Sequence, residues 1–201
     1  MRRLAIAAAV AAILAVGCDD DGLSNDEARL TLLLTDAPGD VTAAVVTISS
    51  IYLQGGSDDD EATDEGGRVY LRTEPVTTDL LTLVDDVATL VDGAVIPAGN
   101  YGQIRFVIEG AYLEVETDDG FEIFSTPGYA EAPETVHGEL KCPSCSQSGI
   151  KVNFQGALSL EGDDETVLVD FDVSETFGKE AGNSGKWIMQ PSLKGSRVEN
   201  P

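Results

Sequence analysis

Apolar and polar residues alternate in short runs along most of the chain. Alternation with period two places every second side chain on one face of a strand, so each run predicts a strand with one face in a core. Leu30, Leu32 and Leu34 alternate with Thr31 and Thr35, and Leu33 adds cover on the second face. Thr35, Asp36, Ala37, Pro38, Gly39 and Asp40 then supply turn residues that stop this strand. Residues 41–53 are rich in β-branched side chains and predict a long strand, bent near Ser49 and Ser50. Its faces read as Ala44, Val46, Ile48 and Tyr52 on one side, Thr47 and Ser49 on the other. A short strand through Val69 and Leu71 follows. Residues 76–83 predict another, and the stripe of Leu83, Val87 and Leu90 predicts one or two helical turns over 85–90.

Pro97, Ala98, Gly99 and Asn100 make a turn, behind which Ile104, Phe106 and Ile108 alternate with Gln103, Arg105 and Glu109. Ala111, Leu113 and Val115 then alternate with Tyr112, Glu114 and Glu116. Asp118, Asp119 and Gly120 signal a hairpin with its return strand over 121–124. After a turn-rich stretch to Ser148, Ile150, Val152 and Phe154 mark a strand, and Val167, Val169, Phe171 and Val173 mark another. Residues 187–193 close the sheet, with Pro191 at an edge or a strand end. No internal repeat points to a solenoid or propeller. The expected fold is all-β, a single β-sandwich of about seven to nine strands with one or two short helical turns.

The first residues change the picture from a free domain to a tethered one. Arg2 and Arg3 precede an Ala-rich apolar run over 4–16, too short to span a bilayer as a mature helix. Leu14, Ala15, Val16, Gly17 and Cys18 resemble the bacterial lipobox, with Ala15 in place of the commoner Leu. The resemblance implies a signal peptide over 1–17, cleavage before Cys18, a diacylglycerol on its thiol and a further acyl chain on the new amine. Multiple acyl chains anchor stably, each buried CH₂ contributing about 0.8 kcal/mol. Residues 18–27 are acidic and aperiodic and read as a tether; the folded domain spans 28–201. The expected location is the bacterial cell envelope, at the periplasmic face or the cell surface, with the membrane as a partner through the lipid. Asp19 resembles the inner-membrane retention signal of enteric bacteria, a rule that does not hold in all bacteria.

The net charge is −24, from 36 acidic and 12 basic residues. Such a surface repels nucleic acid, which is set aside as a partner. It suits divalent cations or simple solvation. Residues 55–67 carry Asp58, Asp59, Asp60, Glu61, Asp64 and Glu65 between glycine pairs. A calcium loop needs a glycine inside the acidic run, and none is there. Asp170 and Asp172, two apart on an expected strand, would share a face about 6.5–7 Å apart. That separation suits paired carboxylates of inverting glycosidases, but no cleft or raised pKa is signalled. A metal-binding or hydrogen-bonding role capping the turn at Asp36 and Asp40 competes with a solvated strand edge. Asp36, Asp40, Asp170 and Asp172 are thus the candidate metal ligands, Ca²⁺ the candidate ion, and no other cofactor is expected.

Three cysteines are odd for an exported chain, and lipid on Cys18 leaves Cys142 and Cys145 as a pair. The expectation is a local disulfide that rigidifies a loop. A redox Cys-x-x-Cys needs a helix to lower the first thiol's pKa, and Ser146, Gln147, Ser148 and Gly149 do not start one. Zinc through His137, Cys142 and Cys145 would need a fourth ligand such as Glu139. His137 is the only histidine and no Gly-x-Ser-x-Gly elbow exists, so a Ser-His-Asp hydrolase is unsupported.

A set of landmarks runs through the chain in order: Leu-Thr-Asp-Ala-Pro over 34–38, Val-Thr-Ile over 46–48, Asp-Leu-Leu-Thr-Leu over 79–83 and Pro-Ala-Gly-Asn-Tyr-Gly-Gln-Ile-Arg over 97–105. Gly-Ile-Lys over 149–151, Asp-Phe-Asp over 170–172 and Pro-Ser-Leu over 191–193 complete it. The set resembles the DUF4382 family of bacterial and archaeal envelope proteins, often lipoproteins. The resemblance implies a sandwich of prealbumin or carboxypeptidase-regulatory-like kind and implies no activity. One departure is local: two cysteines frame Pro143 and Ser144. The expected function is a monomeric, lipid-anchored, non-enzymatic binding or structural module for an envelope protein, glycan or matrix. The alternatives are a calcium-dependent binding module and a thiol-disulfide oxidoreductase acting through Cys142 and Cys145.

Overall fold

Two long strands, β2 (Val41–Gln54) and β7 (Gln103–Thr117), pair antiparallel along almost their whole length and carry the rest of the sheet. The computed structural model describes residues 27–35, 41–55, 67–83, 86–118, 120–154, 157–162, 164–177, 186–190 and 192–198. The leader, Cys18, nearly all of the tether, Asp36, Asp40, the acidic run over 58–65, Asp119 and Pro191 lie outside the described residues.

The β2–β7 register slips between Thr47 and Ile48 and again between Ile48 and Ser50. A one-residue slip flips the side chains to the other face. Burial in β7 accordingly runs through Ile104, Phe106 and Ile108, then changes parity to Ala111 and Leu113. The sequence reads two strands here; they are one, bulged at Glu109. In β2 the buried set passes from Ala44, Val46 and Ile48 to Ile51 and Leu53. The bend expected at Ser49 and Ser50 is this bulge, with Ser49 Oγ donating to Val107 O at 3.1 Å. Tyr52 therefore does not share the face of Val46 and Ile48 beyond the bulge. It points away from Ile51 and Leu53, its ring 5.6 Å from that of Tyr70 and its hydroxyl donating to Ser148 O.

At the bulge both long strands exchange neighbours. The half of β2 near Gln54 pairs with β3 (Arg68–Arg72) and the other half with β4 (Val76–Asp79). Strand β7 pairs with β10 (Ile150–Asn153) through Phe106 and with β8 (Gly120–Ser125) from Tyr112 onward. The sheet forks. One arm continues from β10 to β14 (Ser192–Val198), β12 (Asp164–Asp170), β1 (Glu27–Thr35) and β5 (Ala88–Pro97). The other continues from β8 to β9 (Gly138–Lys141) and β13 (Lys186–Ile188). Strands β5 and β3 touch, and Arg72 Nη1 donates to Leu90 O at 3.0 Å, so the first arm nearly closes on itself. A separate ribbon pairs β6 (Gly99–Tyr101) with β11 (Leu158–Leu160). It buries Tyr101, whose hydroxyl donates to Pro97 O four residues back at 2.7 Å. That bond ties the ribbon to the turn chemistry of Pro97.

The described chain is all-β, but with 14 strands, 12 of them in one mixed sheet, against the seven to nine expected. Three further corrections have local causes. The helical turn is a 3₁₀ turn at Leu80–Leu83; of the 85–90 expected for it, the described residues 86–90 run into β5. Asp79 Oδ1 accepts from Leu81 N at 3.2 Å, and Thr82 Oγ1 donates to Asp79 O at 2.7 Å, so the turn starts as soon as β4 ends. Strand β12 stops at Asp170, where Asp170 Oδ1 accepts from Asp172 N at 3.0 Å, and a short helix α1 (Val173–Thr176) follows. Val173 and Phe177 are buried at helical spacing, which a period-two reading of Val173 cannot distinguish. Finally, β13 ends the sheet path while β14 lies inside it, so residues 187–193 are not one closing strand.

Candidate functional site

The fork leaves a gap beside β7 between the start of β10, at Ile150, and the end of β8, at Ser125. Two loops close it. From one side Cys145 O accepts from Ile108 N at 3.0 Å. From the other, Thr126 Oγ1 accepts from Ala111 N at 3.0 Å, and Thr126 N donates to Ala111 O at 2.9 Å. Between these clamps lies a cleft of about 390 Å³, lined among others by Glu109, Gly110, Thr126, Lys141, Cys142 and Cys145. A second hollow of about 430 Å³ adjoins it, sharing Thr126, Pro127 and Glu139 and adding Tyr129 and His137.

The Cys142–Cys145 loop is tightly organised. The two cysteines form a disulfide, with Cα atoms 5.5 Å apart. Ser144 sits at φ 62°, and its carbonyl accepts from the N–H groups of Gln147, Ser148 and Gly149 at 3.0–3.1 Å. Gly149, at φ 72°, lies so close to β7 that a Cβ would be 2.7 Å from Phe106 O. Glycine is needed there both for the left-handed backbone and for the space. Cys145 is buried and Cys142 half-buried at the cleft wall.

The opposite wall is held by Tyr129. Its ring packs against Gly110, leaving no space for a Cβ there. Its hydroxyl hydrogen-bonds Thr47 Oγ1 at 2.7 Å, and Thr47 Oγ1 in turn meets Thr77 Oγ1 at 2.7 Å. Burial raises the Tyr129 pKa above the ordinary 10.0; the Thr47 bond acts in the opposite sense, and Glu131, Tyr112 and Glu109 add to the rise. Tyr112, whose ring centroid is 6.4 Å from that of Tyr129, is also raised, by burial first and then by Asp79 and Glu114. The wall's last member is His137, pinned to β8: its N–H donates to Ile123 O at 2.7 Å and its Nδ1 accepts from Ile123 N at 2.9 Å. Glu139 pairs with Lys186 at 3.2 Å.

This arrangement closes one alternative and corrects one expectation. Zinc through His137, Cys142, Cys145 and Glu139 does not fit, because both sulfurs are in the disulfide and no such group of side chains gathers among the described residues. Asp170 and Asp172 do not flank one strand face; Asp170 holds the turn that ends β12. Among the described residues no three His, Cys, Asp or Glu side chains gather to hold a metal ion. Residues 143–148 form turns, so no helix follows the cysteines to activate them. The roles of Thr126, Tyr129 and Gly110 carry no sequence signal, because the loop over 126–137 is aperiodic and its partners are long-range.

The landmark motifs also meet in space. Thr35 O accepts from Phe171 N at 3.0 Å, and Thr35 Oγ1 donates to Asp86 O at 3.0 Å and Leu83 O at 3.4 Å. The segments containing Leu34, Leu83 and Phe171 thus join at one end of the first arm. Gly149 meets β7 at Phe106, beside the fork. The family model of a domain of unknown function, DUF4382, matches residues 27–191. The chain belongs to the DUF4382 family. Comparisons with curated proteins and with solved structures find no match. In this DUF4382 chain the matched span covers every strand of the two arms except β14, and all the residues that line the cleft.

Proposed function

We propose that this DUF4382 domain is a lipid-anchored, non-catalytic binding module of the bacterial cell envelope, tethered through Cys18 and taking its ligand in the twin hollows at the fork. One observation carries the reading. The fork creates a concave surface whose two walls are each fixed by backbone bonds to β7. A preformed, polar-rimmed hollow on a rigid sheet is what a binding site requires. Its hydroxyls, paired charges and pinned histidine suit recognition of a protein or glycan surface better than bond cleavage. The same reading takes the two arms as the layers of a prealbumin-like sandwich; the near closure of one arm supports it.

Two experiments test this. A photo-crosslinking residue at Ser146, on the cleft wall, should capture an envelope component in living cells, whereas one at Val95, exposed on β5 and remote from the cleft wall, should not. Equal capture at both positions defeats the cleft as the site. The full chain should partition into detergent and a Cys18→Ala variant should not; a wild-type chain free in the aqueous phase defeats the anchor.

A second reading, thiol-disulfide exchange, is favoured by the disulfide forming part of the cleft wall. Insulin reduction by the purified chain, lost in Cys142→Ser, would establish it in place of the first.

A further inference from the structure

Behind the disulfide lies a third sulfur. Met189 is completely buried, and its Sδ is 3.1 Å from Cys142 Sγ. The disulfide sulfurs carry no proton, so this is a sulfur–sulfur contact and not a hydrogen bond. Its backbone is fixed too: Met189 N donates to Lys141 O at 2.7 Å, immediately before Cys142 in the chain. The thioether therefore lies against Cys142, which with Cys145 lines the cleft.

We propose that reduction of Cys142–Cys145 turns the floor of this cleft into a copper(I) site formed by two thiolates and the Met189 thioether. The donor set decides the ion. Thiolate and thioether sulfurs are soft ligands that select copper(I), whereas zinc binds thiolates, imidazole and carboxylate and seeks four ligands. Among the described residues no third His, Cys, Asp or Glu side chain gathers with the two cysteines, so the ligand set that zinc seeks is not assembled there. The two-residue spacing of the cysteines lets the sulfurs separate and stay on one ion. The cleft gives the ion a path.

Redox state gates the site. A dithiol reductant passes two electrons and two protons to the Sγ–Sγ bond, giving two thiols and leaving itself as a disulfide. Copper(I) then displaces the two thiol protons. While the Sγ–Sγ bond is intact there are no thiolates, and the site is closed. Copper binding is independent of whatever larger ligand the cleft takes, so failure of either proposal leaves the other standing.

The test uses the full chain in detergent, reduced without oxygen by a phosphine, with copper(I) titrated against a chromogenic chelator. The reduced chain should withdraw about one ion and show a sulfur-only coordination shell by X-ray absorption. The oxidised chain and a Cys145→Ser variant should withdraw none. Met189→Leu conserves volume and should leave the fold intact. It should lower affinity by about tenfold or more and remove one sulfur from the shell. Failure of the reduced wild-type chain to compete with the chelator overturns the proposal, as does a Met189→Leu chain with unchanged affinity and shell.

Discussion

Replacing Gly110 by alanine tests the account of the cleft wall most sharply. Gly110 is not one of the left-handed glycines, so alanine suits its backbone and only space opposes it. A Cβ there would meet the Tyr129 ring, with even the third-nearest ring atom at 2.9 Å. Overpacking of this kind costs about 1–3 kcal/mol. Moving the ring also breaks the Tyr129–Thr47 bond, worth about 1 kcal/mol. Against this, alanine in a strand gains about 0.5–1 kcal/mol over glycine. The net expectation is a loss of about 2 kcal/mol, which in a chain of this length lowers Tm by about 4–8 °C. The control is the same substitution in a Tyr129→Ala background. With the ring gone only the strand preference remains, and Gly110→Ala should become stabilising by about 0.5 kcal/mol. Urea unfolding followed by Trp187, the single tryptophan, gives all four corners of the cycle. An equal loss in both backgrounds would refute the idea that Gly110 exists to seat Tyr129.

Gly149→Ala should destabilise by about 2–3 kcal/mol, since it combines a left-handed residue with a clash against the Phe106 carbonyl; a midpoint in urea within error of wild type contradicts this. Alkaline pH should weaken the fold from about pH 10 upward. Tyr129 and Tyr112 have folded pKa values raised above the unfolded value of 10.0, so the unfolded chain loses these protons first. The stabilising contribution is complete below pH 10 and is lost as pH rises through the folded values. Tyr129→Phe should flatten that slope, and a slope identical to wild type would show that Tyr129 does not contribute to it.

The strands that could be read from the sequence were those whose alternation is unbroken. Leu30 to Leu34, Ile104 to Ile108 and Ile150 to Val152 each keep one phase and land where expected. Strand β5 was hidden because Asp92 and Gly93 interrupt its pattern and its pairing with β1 slips twice. Val173 misled because a residue can be buried by strand alternation or by a helical turn, and one position does not tell them apart. At the site, the cysteine pair and His137 were visible as residue types. What each of them does was not, because Ile123 and Met189 approach from 14 and 47 residues away.

The sequence alone determined the all-β character, the positions of most turns and the family, because alternation, glycine and proline act within a few residues of themselves. Only the tertiary structure decided that β2 and β7 bulge together, that the sheet forks there and that the gap becomes a walled cleft with three sulfurs on one side. The physical reason is range. A bulge is a property of two strands at once, and cleft walls are set by contacts across the fold, which no local pattern in the chain encodes.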